Sequence, residues 1–243
     1  MNSTYVRSEI RRSFRTPRYL IFAFGMPLLM FLVFSRAYGH GTLGGISVPT
    51  YVMVSMATFG AMSAVFGTGG RIAMERVVGW NRQLRLTALS GRGYVSGKAV
   101  AGFAVAVPSL AIVFAAGAVF HHVDLSAGRW AVLAASILLA LLTIAALGVW
   151  IGYVAKSDNL QAVSGGIYSL LALFGGLWIP VQSFPIWLVD VCKALPVYWV
   201  AEAGREVLQG HWLGWEGVGV LAAWTVVLGV LAARAYRRST ARG

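Results

Sequence analysis

The chain has 243 residues, of which 58% are hydrophobic and only 12% are charged, and its formal net charge is +12. Soluble domains are about a quarter charged, and a fold of this size has too little interior to bury so much apolar surface. The composition therefore excludes a soluble domain and predicts a protein immersed in lipid. The single cysteine, Cys192, excludes an internal disulfide framework and a cysteine-rich metal site.

Charge-free intervals predict six membrane-spanning helices, because about 20 apolar residues are needed to cross a hydrocarbon core about 30 Å thick. The predicted fold class is an all-α integral membrane protein with one domain over residues 1–243. The first apolar interval lacks a small-residue cleavage site, which favours a retained span over a cleaved signal peptide. The predicted spans are residues 19–36, 48–67, 97–120, 130–155, 160–180 and 215–233.

The distribution of basic residues predicts the orientation of these spans. Most of the arginines and lysines flank the two termini and the loops after spans two and four, whereas the opposite flanks carry most of the acids. Positive flanks face the cytoplasm. Both termini are therefore expected in the cytoplasm of a bacterium, with the chain crossing the cell membrane several times. Orientation also explains the basic excess, so no nucleic-acid partner is expected.

The segment before the first span, residues 1–18, is predicted to be a helix lying in the inner headgroup layer. Val6, Ile10 and Phe14 recur every four residues, which gives the helix an apolar face. The alternative is an irregular basic tail held by anionic lipid. Pro17 is expected to end the helix, and its other face carries Arg7, Arg11, Arg15 and Arg18.

The segment between spans two and three, residues 71–93, is predicted to be a cytoplasmic helical hairpin. Arg71 to Val78 has a helical pattern, Gly79 is a natural break, Asn81 can cap a second short helix and Gly91 can close it. The hairpin mixes apolar and basic side chains. It is therefore expected either to dock on a partner or to lie on lipid headgroups.

The segment between spans five and six, residues 181–212, is predicted to form short re-entrant helices on the outer face. Pro185 and Pro196 interrupt its apolar blocks, which are too short and too polar for two further spans. Glu202 and Arg205 have the i, i+3 spacing of a helical ion pair. The pair is either an ordinary interfacial contact or a gate at the outer end of a pathway.

The sequence contains no recognisable catalytic or cofactor-binding motif. The stretch around Gly97 and Lys98 differs from a phosphate-binding loop in the register of its first glycine and in Ala99, which replaces the magnesium-binding hydroxyl. No histidine has a carboxylate at metal-ligand spacing. The chain is therefore expected to be no enzyme and to bind no metal or cofactor itself. The spans are almost free of ionisable groups, so the energy for transport is expected to come from elsewhere.

The residues from Glu75 to Ser90, ERVVGWNRQLRLTALS, resemble the signature of ABC-2 type permeases, the membrane subunits of ABC exporters. The segment Gly175 to Pro196 resembles the end of span five and the outer helices of the same family. The antibiotic-export subgroup of the daunorubicin-resistance type is the most similar in length and layout. The signature is matched by Glu75, Arg76, Gly79, Leu84 and Ser90, whereas Val77, Trp80 and Ala88 depart from it.

This resemblance implies a separate ABC-type ATPase subunit, which would bind ATP and magnesium, and a second permease subunit that is either identical or a sister chain. The loop between spans two and three would be the coupling helix that sits in a groove of the ATPase. Its matching residues would be Glu75, Arg76, Gly79 and Leu84. Arg71, Arg82 and Arg85 are added because basic groups can meet an acidic ATPase surface.

The resulting hypothesis is the permease of an ATP-driven exporter for a hydrophobic or amphipathic compound, such as a drug, an antibiotic or a lipid-like molecule. Two alternatives stay open: export of a lipid-linked glycan, and a stand-alone membrane enzyme or immunity factor. The resemblance implies a pathway along a dimer interface lined by spans two and five. Its candidate residues, for each of which core packing is the alternative role, are Tyr51, Met56, Phe59, Tyr168, Phe174 and Trp178.

Overall fold

The structure is a computed structural model that describes residues 3–39, 41–79, 90–155 and 160–241. This part of the chain is mainly helical, and its described strands form one short antiparallel hairpin of β1 (Thr42–Leu43) and β2 (Ile46–Ser47). A π-helical turn, Ile21–Gly25, joins the second helix to the third. The helices are α1 (Ser3–Phe14), α2 (Pro17–Leu20), α3 (Met26–Ala37), α4 (Val48–Val77), α5 (Gly91–His121), α6 (Ala127–Val154), α7 (Leu160–Phe174), α8 (Ile186–Ala194), α9 (Pro196–Gln209) and α10 (Trp215–Ala241).

Within the described residues, four helices are long and apolar enough to cross a membrane: Val48–Val77, Gly93–His121, Ala127–Val154 and Trp215–Ser239. They contain the predicted spans two, three and six, and all of span four except its last residue, Ala155. Predicted spans one and five correspond to the shorter apolar helices Ile21–Ala37 and Val163–Phe174, each of between 10 and 17 residues. The all-helical, membrane-spanning character expected from composition is therefore present.

Serine side chains begin three of the long helices. Ser47, Ser90 and Ser126 each accept a hydrogen bond from the backbone N–H three residues later, which satisfies one of the free N–H groups of the first turn. Ser90 corrects the prediction for the hairpin at residues 71–93: Gly91 does not close a second helix but is the first residue of α5. Gly91 lies against the hydroxyl of Tyr236 on α10, where a Cβ would overlap that oxygen.

Helix α4 is the central helix of the bundle. In its apolar window 89% of the residues are buried, compared with 11% for α10 at the periphery. It contacts α3, α5, α6, α7 and α9. The crossing with α6 is especially close, because a Cβ on Gly69 would overlap the carbonyl oxygen of Gly148. Small residues allow such approach between helices in lipid.

The two ends of the bundle are built from different elements. We call one the basic end: here α1 packs on α5, and Tyr153 of α6 makes an edge-to-face contact with Tyr236 of α10 at 5.5 Å. We call the other the hairpin end: here the β-hairpin precedes α4, and the Tyr38 hydroxyl donates to the carbonyl oxygen of Trp178 at 2.8 Å. Helices α8 and α9 also lie at the hairpin end.

The predicted N-terminal helix is present, and the face that it buries in the protein is polar. Helix α1 ends at Phe14, and Pro17 begins α2 two residues after Arg15. The buried residues of α1 are polar, namely Glu9 and Ser13, whereas Phe14 is exposed. The most buried face of α1 is therefore the polar one, because Lys98 of α5 and Arg71 of α4 bond to it, whereas the apolar face is only partly covered.

Candidate functional site

The segment with the permease-like signature begins as the last turns of α4. Residues Arg71 to Val77 continue the helix without a break, and Val78 caps its C-terminus. Gly79 has a φ of +72°, so the predicted helix break at this glycine is confirmed. The predicted coupling residues Arg82, Leu84 and Arg85 lie outside the described residues.

Glu75 lies inside the protein, with 4% of its surface exposed. Its Oε1 accepts hydrogen bonds from Lys98 Nζ at 2.5 Å and from Arg12 Nη1 at 3.0 Å. Its Oε2 accepts from the Tyr94 hydroxyl at 2.6 Å. The carboxylate therefore binds groups from α1 and α5 at once.

Lys98 is the most buried charged residue of this region, with 0% of its surface exposed. Its ammonium donates to Glu9 Oε2 at 2.6 Å as well as to Glu75, and it stands 5.5 Å from the centre of the Tyr94 ring. We call Glu9, Arg12, Glu75, Tyr94 and Lys98 the polar cluster. Its two carboxylates face two cations, so the buried charges compensate one another.

Tyr5 lies beside the polar cluster, with its ring centre 6.1 Å from that of Tyr94. Burial, followed by the negative charges of Glu9 and Glu75, raises the pKa of the Tyr5 phenol above its ordinary value. Gly97 of α5 makes room for this ring, because a Cβ there would lie 2.6 Å from Tyr5 Cε1. The cluster is therefore closed on the side of α1 by a neutral aromatic ring.

Arg71 also reaches toward the N-terminal segment. Its Nη1 donates to Ser13 Oγ at 2.6 Å, and its guanidinium carbon lies 4.9 Å from the centre of the Tyr19 ring. The Tyr19 hydroxyl in turn donates to the carbonyl oxygen of Ala64 at 2.7 Å. Arg71 thus fastens α1 and α2 to α4.

Arg76 connects α4 to α6 instead. Its Nη1 donates to the carbonyl oxygens of Gly152 at 2.9 Å and Tyr153 at 2.6 Å. These carbonyls belong to the last turn of α6, where no further helical N–H is available to bond them. Arg76 therefore caps α6 from a neighbouring helix.

The outward face of the same helix end is apolar. Met74, Val77 and Val78 have 57%, 57% and 70% of their surfaces exposed, beside the inward-facing Glu75 and Arg76. The described part of the predicted coupling segment thus has two faces. One face holds α1, α5 and α6, and the other presents three apolar side chains.

Lys98 and Glu9 were not among the residues singled out from the sequence. Lys98 was considered only in the comparison with a phosphate-binding loop, and Glu9 was not considered. Tyr5, Glu9 and Ser13 repeat every four residues, and this spacing gives a second helical face that is polar yet uncharged apart from Glu9. That face was the available signal for a polar contact on α1.

The hairpin end contains a second buried cation, Arg205 of α9, with 2% of its surface exposed. Its Nη1 donates to Glu202 Oε2 at 3.2 Å, which is the contact expected from their spacing. Its Nη2 donates to Ser55 Oγ at 3.0 Å and to the carbonyl oxygen of Gly176 at 2.8 Å. Its guanidinium carbon also lies 4.1 Å from the centre of the Tyr51 ring. Arg205 therefore joins α9 to α4 and to the turn after α7.

Several predicted pathway residues are close to one another at the contact between α4 and α7. Phe59 lies 5.1 Å from Tyr168 and 5.7 Å from Trp178, measured between ring centres. The Tyr168 hydroxyl donates to the carbonyl oxygen of Phe59 at 2.7 Å. Met56 is fully buried, Phe174 is half-buried, and Tyr51 lies under Arg205. These side chains pack on protein, with Trp178 and Tyr51 also lining a cavity of about 10 Å³ at the hairpin end.

In the part of the chain that the structure describes, no three side chains of the His, Cys, Asp or Glu types converge as metal ligands would. The cation contacts described above are made to carboxylates, hydroxyls, backbone carbonyls and aromatic rings. The chemistry of both ends is therefore that of holding helices together, and the candidate functional element is the two-faced end of α4 with its polar cluster.

Two comparisons with known proteins indicate the family of the chain. A family model described as ABC-2 type transporter matches residues 3–208. The chain is also 26% identical over 235 residues to a Bacillus subtilis (strain 168) protein named "Putative transport permease YvfS", and the match covers 96% of each chain. The family match includes α1, the end of α4 and the Arg205 site. The chain belongs to the ABC-2 type transporter family.

Proposed function

We propose that this chain is the permease subunit of an ATP-driven exporter that moves a hydrophobic or amphipathic compound out across the cytoplasmic membrane of a bacterium. The observation that carries the proposal is the polar cluster, in which the end of α4 is bonded to α1 and α5 by buried charges. Because the end of α4 is bonded in this way, a force applied to its outer face can be transmitted to several helices.

In this proposal a separate ABC-type ATPase binds ATP and magnesium and pushes on the end of α4 from the cytoplasm. Membership of the ABC-2 family and the excess of basic residues at this end of the bundle support that orientation. The basic flanks would also favour an acidic partner surface. Two permease subunits, identical or related, would form the complete conduit.

We assign different tasks to the two faces of the α4 end. Met74, Val77 and Val78 would contact the ATPase, because they are exposed and apolar. Glu75 and Arg76 would transmit the movement, because their side chains bind α1, α5 and α6. This division refines the expectation that all signature residues touch the partner.

The class of transported compound is proposed from the side chains at the contact of α4 with α7. Tyr51, Met56, Phe59, Tyr168, Phe174 and Trp178 are apolar or aromatic, and none carries a charge. Movement of α4 relative to α7 would expose these side chains to an apolar or amphipathic molecule. Arg205, paired with Glu202, would hold the hairpin end of this route closed.

Copurification tests the proposal. The permease is tagged and co-expressed with an ABC-type ATPase of the same bacterium, and the triple variant M74D/V77D/V78D is compared with the wild type. We expect the wild type to retain the ATPase and the triple variant to lose it, because three charges would replace the apolar contact.

The matched control is W212D, which introduces a charge at an exposed aromatic residue of the hairpin end, where Trp212 is 77% exposed. It should retain the ATPase at the wild-type yield. Retention of the ATPase by the α4 triple variant would contradict the assigned docking face, and failure of the wild type to retain any ATPase would contradict the proposed function.

A further inference from the structure

The N-terminal helix has three distinct faces, and one of them bonds to the polar cluster and to Arg71. The first face carries Glu9 and Ser13, which bond to Lys98 and Arg71 inside the protein. The second carries Val6 and Ile10, half-buried, and Phe14, exposed. The third carries three exposed arginines, Arg7, Arg11 and Arg15. The helix is thus held by one face and leaves a basic face outward.

The basic and apolar faces are neighbours. Each arginine follows one residue after an apolar side chain, which places the basic row about 100° around the helix from the apolar row. Arg15 stays in register because its N–H still bonds to the carbonyl oxygen of Arg11 at 3.2 Å. A basic row beside an apolar row is the arrangement of helices that lie in the headgroup layer of a membrane.

The position of α1 along the chain brings it to the bilayer surface. Pro17 begins the next helix, and Ile21 and Phe22 present 62% and 64% of their surfaces to the outside of the bundle. These exposed apolar side chains require a hydrocarbon environment. The arginines therefore stand within a few turns of the point at which the chain enters the hydrocarbon, which is the level of lipid phosphates.

We propose that Arg7, Arg11 and Arg15 form a binding site for the headgroups of anionic phospholipids, and that this site anchors α1 beside the polar cluster. The guanidinium groups carry the charge opposite to that of phosphate, and their N–H groups fit its oxygens as hydrogen-bond acceptors. Arg12 is not part of the site, because its guanidinium is bonded to Glu75. This inference requires no ATPase and goes beyond the proposed transport function.

The test uses the purified full chain in a neutral detergent, without nucleotide or partner. The unfolding temperature is measured as dioctanoyl-phosphatidylglycerol or dioctanoyl-phosphatidylcholine is added, and the concentration dependence gives an apparent affinity for each lipid. We expect the wild type to prefer the anionic lipid. Each arginine near a charged surface contributes roughly fivefold, so R7Q/R11Q/R15Q should weaken that affinity roughly a hundredfold.

The matched control removes three exposed arginines from the same end of the bundle, in the variant R234Q/R237Q/R238Q on α10. It changes net charge equally and should keep the wild-type preference for the anionic lipid. If the control lost as much affinity for the anionic lipid as the α1 variant, the assignment of the site to α1 would be wrong. It would also be wrong if R7Q/R11Q/R15Q kept the wild-type preference for the anionic lipid. A second measurement uses the wild type alone: rising potassium chloride should lower the affinity, and a salt-independent affinity would also overturn the proposal.

An acidic protein surface is the competing partner for the same arginines. It would be indicated if R7Q/R11Q/R15Q kept its lipid preference but lost the copurified ATPase, and that outcome rejects the lipid site. The lipid titration and the copurification use different samples. A failure of the lipid proposal is therefore distinguishable from a failure of the proposed transport function.

Discussion

Among the residues that the structure describes, each end of the bundle has a buried basic side chain, but the two ends compensate its charge in different ways. At the basic end Lys98 binds two carboxylates that come from α1 and α4. At the hairpin end Arg205 binds a single carboxylate from its own helix, and its other partners are a hydroxyl, a carbonyl oxygen and an aromatic ring. The first arrangement joins helices by charge, whereas the second joins them mainly through neutral groups.

Because of this difference, the stability of the two ends should depend to different degrees on their buried cations. Removal of Lys98 would leave two buried carboxylates, of which Glu75 would keep its contact with the exposed Arg12. Removal of Arg205 would leave Glu202, whose side chain is 20% exposed and can reach water. The basic end should therefore be the more sensitive of the two to loss of charge.

The largest effect is expected for K98M. The variant removes the ammonium that compensates Glu9 and Glu75, and breaking a buried ion pair costs about 3–5 kcal/mol in the free energy of unfolding. The measurement is unfolding of the purified chain in mixed micelles with a denaturing detergent. The control E9Q/K98M/E75Q removes the carboxylate charges as well and should regain much of the loss. If K98M were as stable as the wild type, the expectation that the basic end depends more on its cation would be wrong.

A smaller loss is expected for R205M. Ser55 and the carbonyl oxygen of Gly176 would lose a charged hydrogen-bond donor, a loss of about 1.5–3 kcal/mol measured in the same unfolding assay. The neutral variant E202Q is the control and should cost less, because Arg205 keeps its other contacts. A loss for R205M larger than that for K98M would reverse the comparison.

The crossing of α4 with α6 affects both ends, because α4 contributes residues to each of them and packs closely on α6. G69A should cost about 1–3 kcal/mol, since its Cβ would overlap the carbonyl oxygen of Gly148 and the helices would have to separate. The matched control is G70A, because a Cβ at Gly70 would meet nothing within 4 Å. Equal unfolding free energies for the two variants would argue against close packing at this crossing.

The smallest effect is expected for R12Q. Arg12 contacts the same Oε1 of Glu75 as Lys98 does, but its side chain is 61% exposed. Exposed ion pairs contribute less than about 1 kcal/mol, and salt weakens them. Stability should therefore change little and should depend less on ionic strength than that of the wild type. If R12Q lowered the free energy of unfolding as much as K98M does, Arg12 would have to act as a buried ion-pair partner of Glu75.

The sequence predicted features that depend on local spacing. The apolar intervals located the long helices, Gly79 was recognised as the end of α4, and the i, i+3 spacing predicted the contact of Glu202 with Arg205. Each of these follows from length, backbone conformation or helical periodicity within one segment.

Features that join distant segments were not predictable in this way. Lys98 and Glu9 are 89 residues apart, and no pattern in either segment shows that they meet. The direction of Glu75 and Arg76 also depends on how α4 packs against α1, α5 and α6, so the signature residues were assigned to the partner surface. Gly91 was assigned to the end of a helix, but it is the first residue of α5. The residue type alone does not show whether a glycine begins or ends a helix.

In the proposed function, Glu75 and Arg76 transmit movement between an ATPase and the membrane helices, and this transmission can be measured as ATP turnover of the purified permease–ATPase complex. The variant E75Q/R76Q leaves the exposed Met74, Val77 and Val78 in place, so it should copurify with the ATPase at the wild-type yield. Its ATP turnover should fall below that of the wild-type complex, because the side chains that bind the end of α4 to α1, α5 and α6 are neutralised. An intact complex with wild-type turnover would contradict the account.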